Sequence, residues 1–124
     1  MTDWTKGAGW MRGEVIPIAE AKIGVTDWGL THSDITYDVV PLWKGGFFKL
    51  NDYLTRFEQS MAALRLDVGM DRGEIIEALR ATALKTGLQD AYVSMVASRG
   101  SPTIPGSRDP RDCANHVSFT PAFV

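Results

Sequence analysis

Four segments of the chain have the apolar–polar alternation or the β-branched content that predicts β-strands. They cover residues 13–23, a stretch that starts near residue 35, residues 91–99 and residues 115–119. Pro17 lacks a backbone N–H, so the first strand is expected at a sheet edge or near its own end. The second strand turns back at residues 44–46, which predicts a β-hairpin with Tyr37 and Val39 on its inward, apolar face.

Two segments between these strands repeat apolar residues at spacings of three and four, which predicts amphipathic helices. Asn51 or Asp52 is expected to cap the first helix, and Asp71 with Glu74 forms a capping box for the second, which ends at Gly87. The expected buried positions are Leu54, Phe57, Met61, Leu64, Ile75, Ile76, Leu79 and Ala83. The order of these elements along the chain, with strands first, then helices and then strands, predicts an α+β fold. In this fold an antiparallel sheet has two helices packed on one face.

Length and composition favour a single domain that covers residues 1–124. The chain has 124 residues, of which 44% are hydrophobic, so it can bury one core but hardly a second. Residues 100–112 contain three prolines and two glycines and are expected to form a loop before the last strand.

Charge and cysteine content argue against several classes of function. The net charge is -2, with 13 basic and 15 acidic residues mixed along the chain, so nucleic acid is not an expected partner. No apolar run is long enough for a membrane span and the start of the chain lacks a secretory signal, so a cytoplasmic protein is expected. Cys113 is the single cysteine, and neither His32 nor His116 lies in a cluster with metal-ligand spacing. No disulfide and no metal site are predicted.

The stretch Gly29–Val40, followed by Trp43–Arg56, combines a polar turn, a strand with a tyrosine, a tight hairpin and a helix with an arginine. In this order the residues resemble the N-terminal small domain of the class IV, or fold type IV, pyridoxal phosphate aminotransferases. The resemblance extends from Gly13 to Gly100. Within that family the pattern is most similar to (R)-selective amine transaminases, next to D-amino-acid transaminases, and less to branched-chain aminotransferases.

The resemblance implies a transaminase with pyridoxal 5'-phosphate as cofactor and with an amine or amino acid and a keto acid as substrates. Arg56 matches the arginine that binds the cofactor phosphate, and the planar fork of a guanidinium suits phosphate oxygens. Without the resemblance, an arginine between Leu54 and Phe57 would be interpreted as a solvated residue at the rim of a helix.

The same resemblance implies a substrate pocket. Tyr37, Val39 and Tyr92 match positions that line it, although each could equally be a core residue of a strand. His32 matches a histidine in the turn before Tyr37, where a hydrogen-bonding role in the turn is the alternative. Arg108 lies near the loop position at which amine transaminases carry an arginine for a substrate carboxylate, but Pro105 is nearer by counting.

In this family the lysine that carries the cofactor as a Schiff base lies in a second domain, beyond the segment that resembles residues 115–119. Residues 120–124 resemble the start of the linker to that domain. The five lysines of the chain are Lys6, Lys22, Lys44, Lys49 and Lys85, and none is at the matching position. No catalytic residue is therefore predicted within the chain, which is expected to be inactive alone and to belong to a homodimeric enzyme.

Two alternatives remain. The chain could be a non-catalytic domain that kept the fold and associates with itself or with a partner through an exposed apolar face. It could also belong to a lyase of the same fold that uses pyridoxal phosphate, similar to aminodeoxychorismate lyase.

Overall fold

The computed structural model describes residues 3–123, which form six strands, two long helices and one short helix. In chain order these are β1 (Ala8–Met11), β2 (Glu14–Pro17), α1 (Trp28–Thr31), β3 (Ile35–Trp43), β4 (Gly46–Phe47), α2 (Leu50–Ala63), α3 (Arg72–Thr86), β5 (Ala91–Ser98) and β6 (His116–Phe123). Single 3-10 turns cover Ile18–Glu20 and Pro110–Asp112. The predicted loop over residues 100–112 is confirmed, apart from the second of these turns.

The strands form one antiparallel sheet in the order β2-β1-β6-β5-β3-β4. The predicted α+β fold and the hairpin at residues 44–46 are confirmed. Pro17 ends β2 at the edge of the sheet, as its missing N–H donor requires. β1 was not among the predicted strands, because its four residues are too few to show an alternation.

Helices α2 and α3 cover one face of the sheet and form the hydrophobic core with it. The core residues are Leu54, Phe57 and Met61 of α2, Leu66 of the following loop, Ile75, Ala78 and Leu79 of α3, and Val40, Val93, Met95, Ala97, Val117 and Phe119 of the sheet. Each large apolar side chain removed from water in this way contributes about 1.5–3 kcal/mol. The other face of the sheet carries neither α2 nor α3, and the four-residue α1 packs at its end, where Gly29 lies against Ser98 and Ile35.

The capping box predicted for α3 is confirmed. The Asp71 side chain accepts from the Glu74 N–H, and the Glu74 carboxylate accepts from the Asp71 N–H. Gly87 ends the helix with a φ of 69°, a left-handed conformation that glycine adopts without a steric penalty. None of the helices in residues 3–123 is both long and apolar enough to cross a membrane.

The predicted inward direction of Tyr37 and Val39 is wrong. Tyr37 is 68% exposed, whereas Asp38, Val40 and Leu42 of the same strand are buried. The alternation along β3 was recognised but its phase was inverted, because the position that faces the helices next to Arg56 carries a carboxylate rather than an apolar residue.

Three boundaries also differ from the prediction. Lys49, with a φ of 48° and no side-chain cap, precedes α2, so neither Asn51 nor Asp52 caps it. Leu64 follows the helix at its C-cap and is 38% exposed rather than part of the buried stripe. The residues expected to begin a linker continue β6, since Thr120 and Pro121 pair with β5. Val124 lies outside the described residues.

Candidate functional site

The outer edge of β3 is partly uncovered. β4 pairs with β3 only at Leu42 and Trp43, and within residues 3–123 no strand lies beside the edge from Ile35 to Val39. The Val39 N–H, which points to this edge, donates instead to the Asp38 carboxylate at 2.8 Å. A free strand edge flanked by a helix can therefore present groups from both elements to a ligand.

Arg56 of α2 reaches this edge and forms an ion pair with Asp38. Its Nε donates to Asp38 Oδ2 at 2.8 Å, and its Nη2 donates to Asp38 Oδ1 at 2.7 Å. The Asp38 side chain is only 5% exposed, whereas that of Arg56 is 65% exposed. The Arg56 guanidinium also lies 5.3 Å from the ring centre of Tyr53, within the range of a cation–π contact.

The arrangement leaves one edge of the Arg56 guanidinium open. A guanidinium has five N–H donors in a planar fork, and Asp38 takes one from Nε and one from Nη2. No other described residue accepts a hydrogen bond from Arg56, so both N–H groups of Nη1 and the second of Nη2 are open to a ligand. These three donors suit the oxygens of a phosphate, which a guanidinium can bind through two parallel hydrogen bonds.

The ion pair shifts both of its members toward the charged state. The hydrogen bonds from Arg56 hold the pKa of Asp38 below its ordinary value, although burial opposes this shift. The same contact raises the pKa of Arg56. Both groups are charged across the physiological pH range, and Arg56 is a permanent cation for an anionic ligand.

Tyr37, Val39 and Tyr92 lie together on the sheet face opposite α2 and α3. Tyr37 and Val39 are two residues apart on β3, and Tyr92 of β5 is paired with Pro41, the next β3 residue on that face. Tyr37 is 68% exposed and Tyr92 is 49% exposed. The three predicted pocket residues thus form one strip on this face, whereas Asp38 and its partner Arg56 lie on the face covered by α2 and α3.

His32 and Arg108 do not join this strip. His32 follows α1, its ring stacks on Trp28 at 4.4 Å between centres, and its Nδ1 lies 2.6 Å from the Thr31 hydroxyl. These contacts favour a role in the turn. Arg108 is exposed in the loop before β6 and forms no hydrogen bond or ion pair with any described residue.

A buried polar cluster beside α1 was not predicted from the sequence. Asp27 is 4% exposed and accepts hydrogen bonds from the Gly29 N–H at 2.8 Å and the Ser98 hydroxyl at 2.5 Å, and its other oxygen lies 2.5 Å from His116 Nε2. Burial raises the pKa of Asp27, but the bonds from Ser98, His116 and Gly29 outweigh it and lower the pKa overall.

The Asp27 cluster has neither the geometry of a nucleophile–base pair nor that of a metal site. The Ser98 hydroxyl donates to Asp27, and within residues 3–123 no hydrogen bond joins it to the His116 ring. Among the described residues, no three acidic, histidine or cysteine side chains converge.

Known proteins similar in sequence are aminotransferases. A Methanocaldococcus jannaschii protein whose name assigns it to the branched-chain-amino-acid aminotransferases is 27% identical over 110 residues, which are 89% of this chain and 38% of the relative. A D-alanine aminotransferase of Listeria monocytogenes is 27% identical over 81 residues, 65% of this chain and 28% of the relative. No protein-family model matches the chain.

Solved structures of the same class share the fold. The branched-chain amino acid aminotransferase of Escherichia coli has a TM-score of 0.85 at 19% identity, over 97% of this chain and 40% of the enzyme. The T.th. enzyme with pyridoxamine 5'-phosphate has a TM-score of 0.85 at 22% identity, over 98% of this chain and 42% of the enzyme. The Thermoproteus uzoniensis enzyme, solved with norvaline, has a TM-score of 0.80 at 24% identity, over 94% of this chain and 40% of the enzyme.

The chain therefore has the fold of the small domain of fold type IV aminotransferases. It is homologous to branched-chain aminotransferases and to a D-alanine aminotransferase, and it spans about two fifths or less of their length. The predicted relationship to this class is confirmed. The closer similarity to (R)-selective amine transaminases stays a prediction.

Proposed function

We propose that the chain is the small domain of a transaminase that uses pyridoxal 5'-phosphate to move an amino group between an amine or amino acid and a keto acid. The observation that carries the proposal is the open guanidinium edge of Arg56, held by Asp38 at the free edge of β3, the strand that also carries Tyr37 and Val39. The names of the homologues support it, and so does the pyridoxamine 5'-phosphate in the T.th. enzyme.

Under this proposal Arg56 binds the cofactor phosphate. Its guanidinium is charged at every physiological pH and offers two parallel donors to phosphate oxygens. When bound, pyridoxal phosphate supplies an electron sink for the charge that forms on the substrate carbon as its proton leaves. Tyr37, Val39 and Tyr92 form a wall on one side of the substrate and limit the access of water.

No catalytic residue of the chain is part of the proposal. Three lysines lie over aromatic rings at the surface, where Lys44 contacts Trp43, Lys49 contacts Phe48 and Lys85 contacts Trp4. The lysine that takes the substrate proton is proposed to come from another domain, in an enzyme that the resemblance suggests is a homodimer. A cytoplasmic location is part of the same proposal.

The wall formed by Val39 and Tyr92 favours an amino donor with a hydrophobic substituent. Norvaline, present in the Thermoproteus uzoniensis structure, is an amino acid with such a substituent. Arg108 is proposed to meet a substrate carboxylate only if its loop moves, because it is exposed and makes no contact with the strip. We further propose that the amino donor is an amine of (R) configuration.

A chimeric enzyme tests the function. The chain would replace the matching segment of the T.th. enzyme, and a cooperative thermal transition would show that the chimera folds. We expect the chimera to bind pyridoxal phosphate and to transaminate a branched-chain or D-amino acid with a keto acid. A folded chimera that binds the cofactor but transfers no amino group would contradict the proposal.

A further inference from the structure

Asp38 is a carboxylate at a strand position that otherwise belongs to the core. Val40 and Leu42, the next residues on the same face of β3, are 0% and 4% exposed, and Asp38 itself is 5% exposed. A buried carboxylate is costly unless it is paired and hydrogen-bonded. The Asp38 oxygens accept three hydrogen bonds, two from Arg56 and one from the Val39 N–H, and no other described cation pairs with Asp38. Among the described residues, Arg56 is thus the cation that pairs with Asp38.

The edge of the guanidinium that Asp38 contacts determines which N–H donors of Arg56 remain open to a ligand. Asp38 takes the side of the guanidinium formed by Nε and Nη2, and the end formed by Nη1 and Nη2 stays open. A 65% exposed arginine without such an anchor would populate many rotamers, and a ligand would have to order it on binding.

We propose that Asp38 is a positioning residue, which fixes the Arg56 guanidinium so that its open end faces the phosphate of pyridoxal phosphate. This inference rests on the proposed function. Asp38 also repels the phosphate, but the two anions would meet different edges of one guanidinium, whose positive charge lies between them, and water around the 65% exposed Arg56 screens the repulsion. Positioning therefore outweighs the repulsion, and its loss is expected to weaken phosphate binding about three- to tenfold.

The test compares the affinities of the full chain for pyridoxal phosphate and for pyridoxal, which has the same ring but no phosphate. Asp38→Asn should lower the affinity for pyridoxal phosphate about three- to tenfold and leave the affinity for pyridoxal unchanged. Asp38→Glu keeps the charge and should recover most of the loss. A merely structural role would change both affinities together or neither.

Glu58→Gln is the matched control. Glu58 pairs with Arg72 as Asp38 pairs with Arg56, with two hydrogen bonds between helices α2 and α3, but away from the edge of β3. This variant should change neither affinity.

Nuclear magnetic resonance of the wild-type chain keeps the inference testable if Asp38→Asn does not fold. Inorganic phosphate should shift the Nη signals of Arg56 while the Nε–H signal remains that of a group bonded to Asp38. The inference is overturned if phosphate displaces Asp38 from Nε, or if Asp38→Asn binds pyridoxal phosphate as tightly as the wild type while Arg56→Lys binds it weakly. If Arg56→Lys binds as tightly as the wild type, the proposed role of Arg56 fails as well.

Discussion

The Nε2 atom of His116 lies 2.5 Å from Oδ2 of Asp27, a residue 89 positions earlier in the chain. The other oxygen of this carboxylate accepts hydrogen bonds from Ser98 and from the Gly29 N–H. These partners belong to the start of β6, the end of β5 and the first turn of α1. One buried carboxylate thus joins three elements at the end of the sheet where the turn before Tyr37 begins.

Replacement of Asp27 by alanine should destabilise the chain strongly. It removes the N-cap of α1 and leaves the fully buried Ser98 hydroxyl without its acceptor. We expect the free energy of unfolding to fall by about 2–4 kcal/mol, measured by urea denaturation. Asp109→Ala is the control, because Asp109 also caps a turn but its partner Arg111 is exposed, and a much smaller loss is expected there. Equal losses in the two variants would contradict the role given to the cluster.

Gly29 is required by the same cluster. A Cβ atom at this position would overlap the Ser98 hydroxyl and come within 2.9 Å of Asp27 Oδ1. Gly29→Ala should therefore cost about 1–3 kcal/mol in thermal or chemical unfolding. Gly24→Ala, whose new Cβ would come no closer than 4.0 Å to a side chain beyond its chain neighbours, should be close to neutral.

A double variant shows whether the overlap with Ser98 is the cause. In a Ser98→Ala background the Gly29→Ala change should cost less, because the overlapping oxygen is gone. Strictly additive losses would mean that Gly29 is required for another reason.

The sequence was sufficient to predict the hairpin, the capping box and the buried alternation of β5, since each depends on neighbouring residues. It was not sufficient to predict which residues of β3 face α2 and α3, because Asp38 is buried only through its contact with Arg56, 18 residues away. The Asp27 cluster was missed for the same reason. The first and last of its four members are 89 positions apart, and their proximity depends on the order of strands in the sheet. The resemblance identified Arg56 but carried no information about its partner.

Acid should destabilise the chain through Asp38 and Asp27. The pKa of each carboxyl is lowered from 3.8, for Asp38 chiefly by the Arg56 hydrogen bonds, and for Asp27 by Ser98, His116 and Gly29 against the effect of burial. A lowered folded-state pKa means that the stabilisation is complete above the unfolded value and is lost as the pH falls through the folded value.

We therefore expect the free energy of unfolding to be steady near neutral pH and to fall below about pH 4. Urea denaturation at a series of pH values measures this dependence. Asp38→Asn should make the fall shallower. A variant as sensitive to acid as the wild type would show that Asp38 does not contribute to it.

The exposed strip should matter for ligands rather than for folding. Tyr37 is 68% exposed, so Tyr37→Ala should change the free energy of unfolding by about 0.5 kcal/mol or less. Phe57→Ala, at a fully buried position of α2, should cost about 3–5 kcal/mol. Thermal denaturation compares the two variants. If the tyrosine variant lost as much as the phenylalanine variant, Tyr37 would be a structural residue and its place in the pocket wall would have to be abandoned.

The role of Arg56 is tested most directly by the affinity of the chain for pyridoxal phosphate relative to pyridoxal, with Arg56 intact and with Arg56→Lys. Lysine keeps the positive charge but lacks the planar fork that gives Asp38 two donors and leaves two parallel donors for a phosphate, so a loss of about tenfold is expected for pyridoxal phosphate and none for pyridoxal. Arg72→Lys alters an arginine that is also paired with a carboxylate and should bind both compounds as the wild type does. If Arg56→Lys retains the wild-type preference for the phosphorylated compound, Arg56 does not bind the cofactor phosphate and the central claim is contradicted.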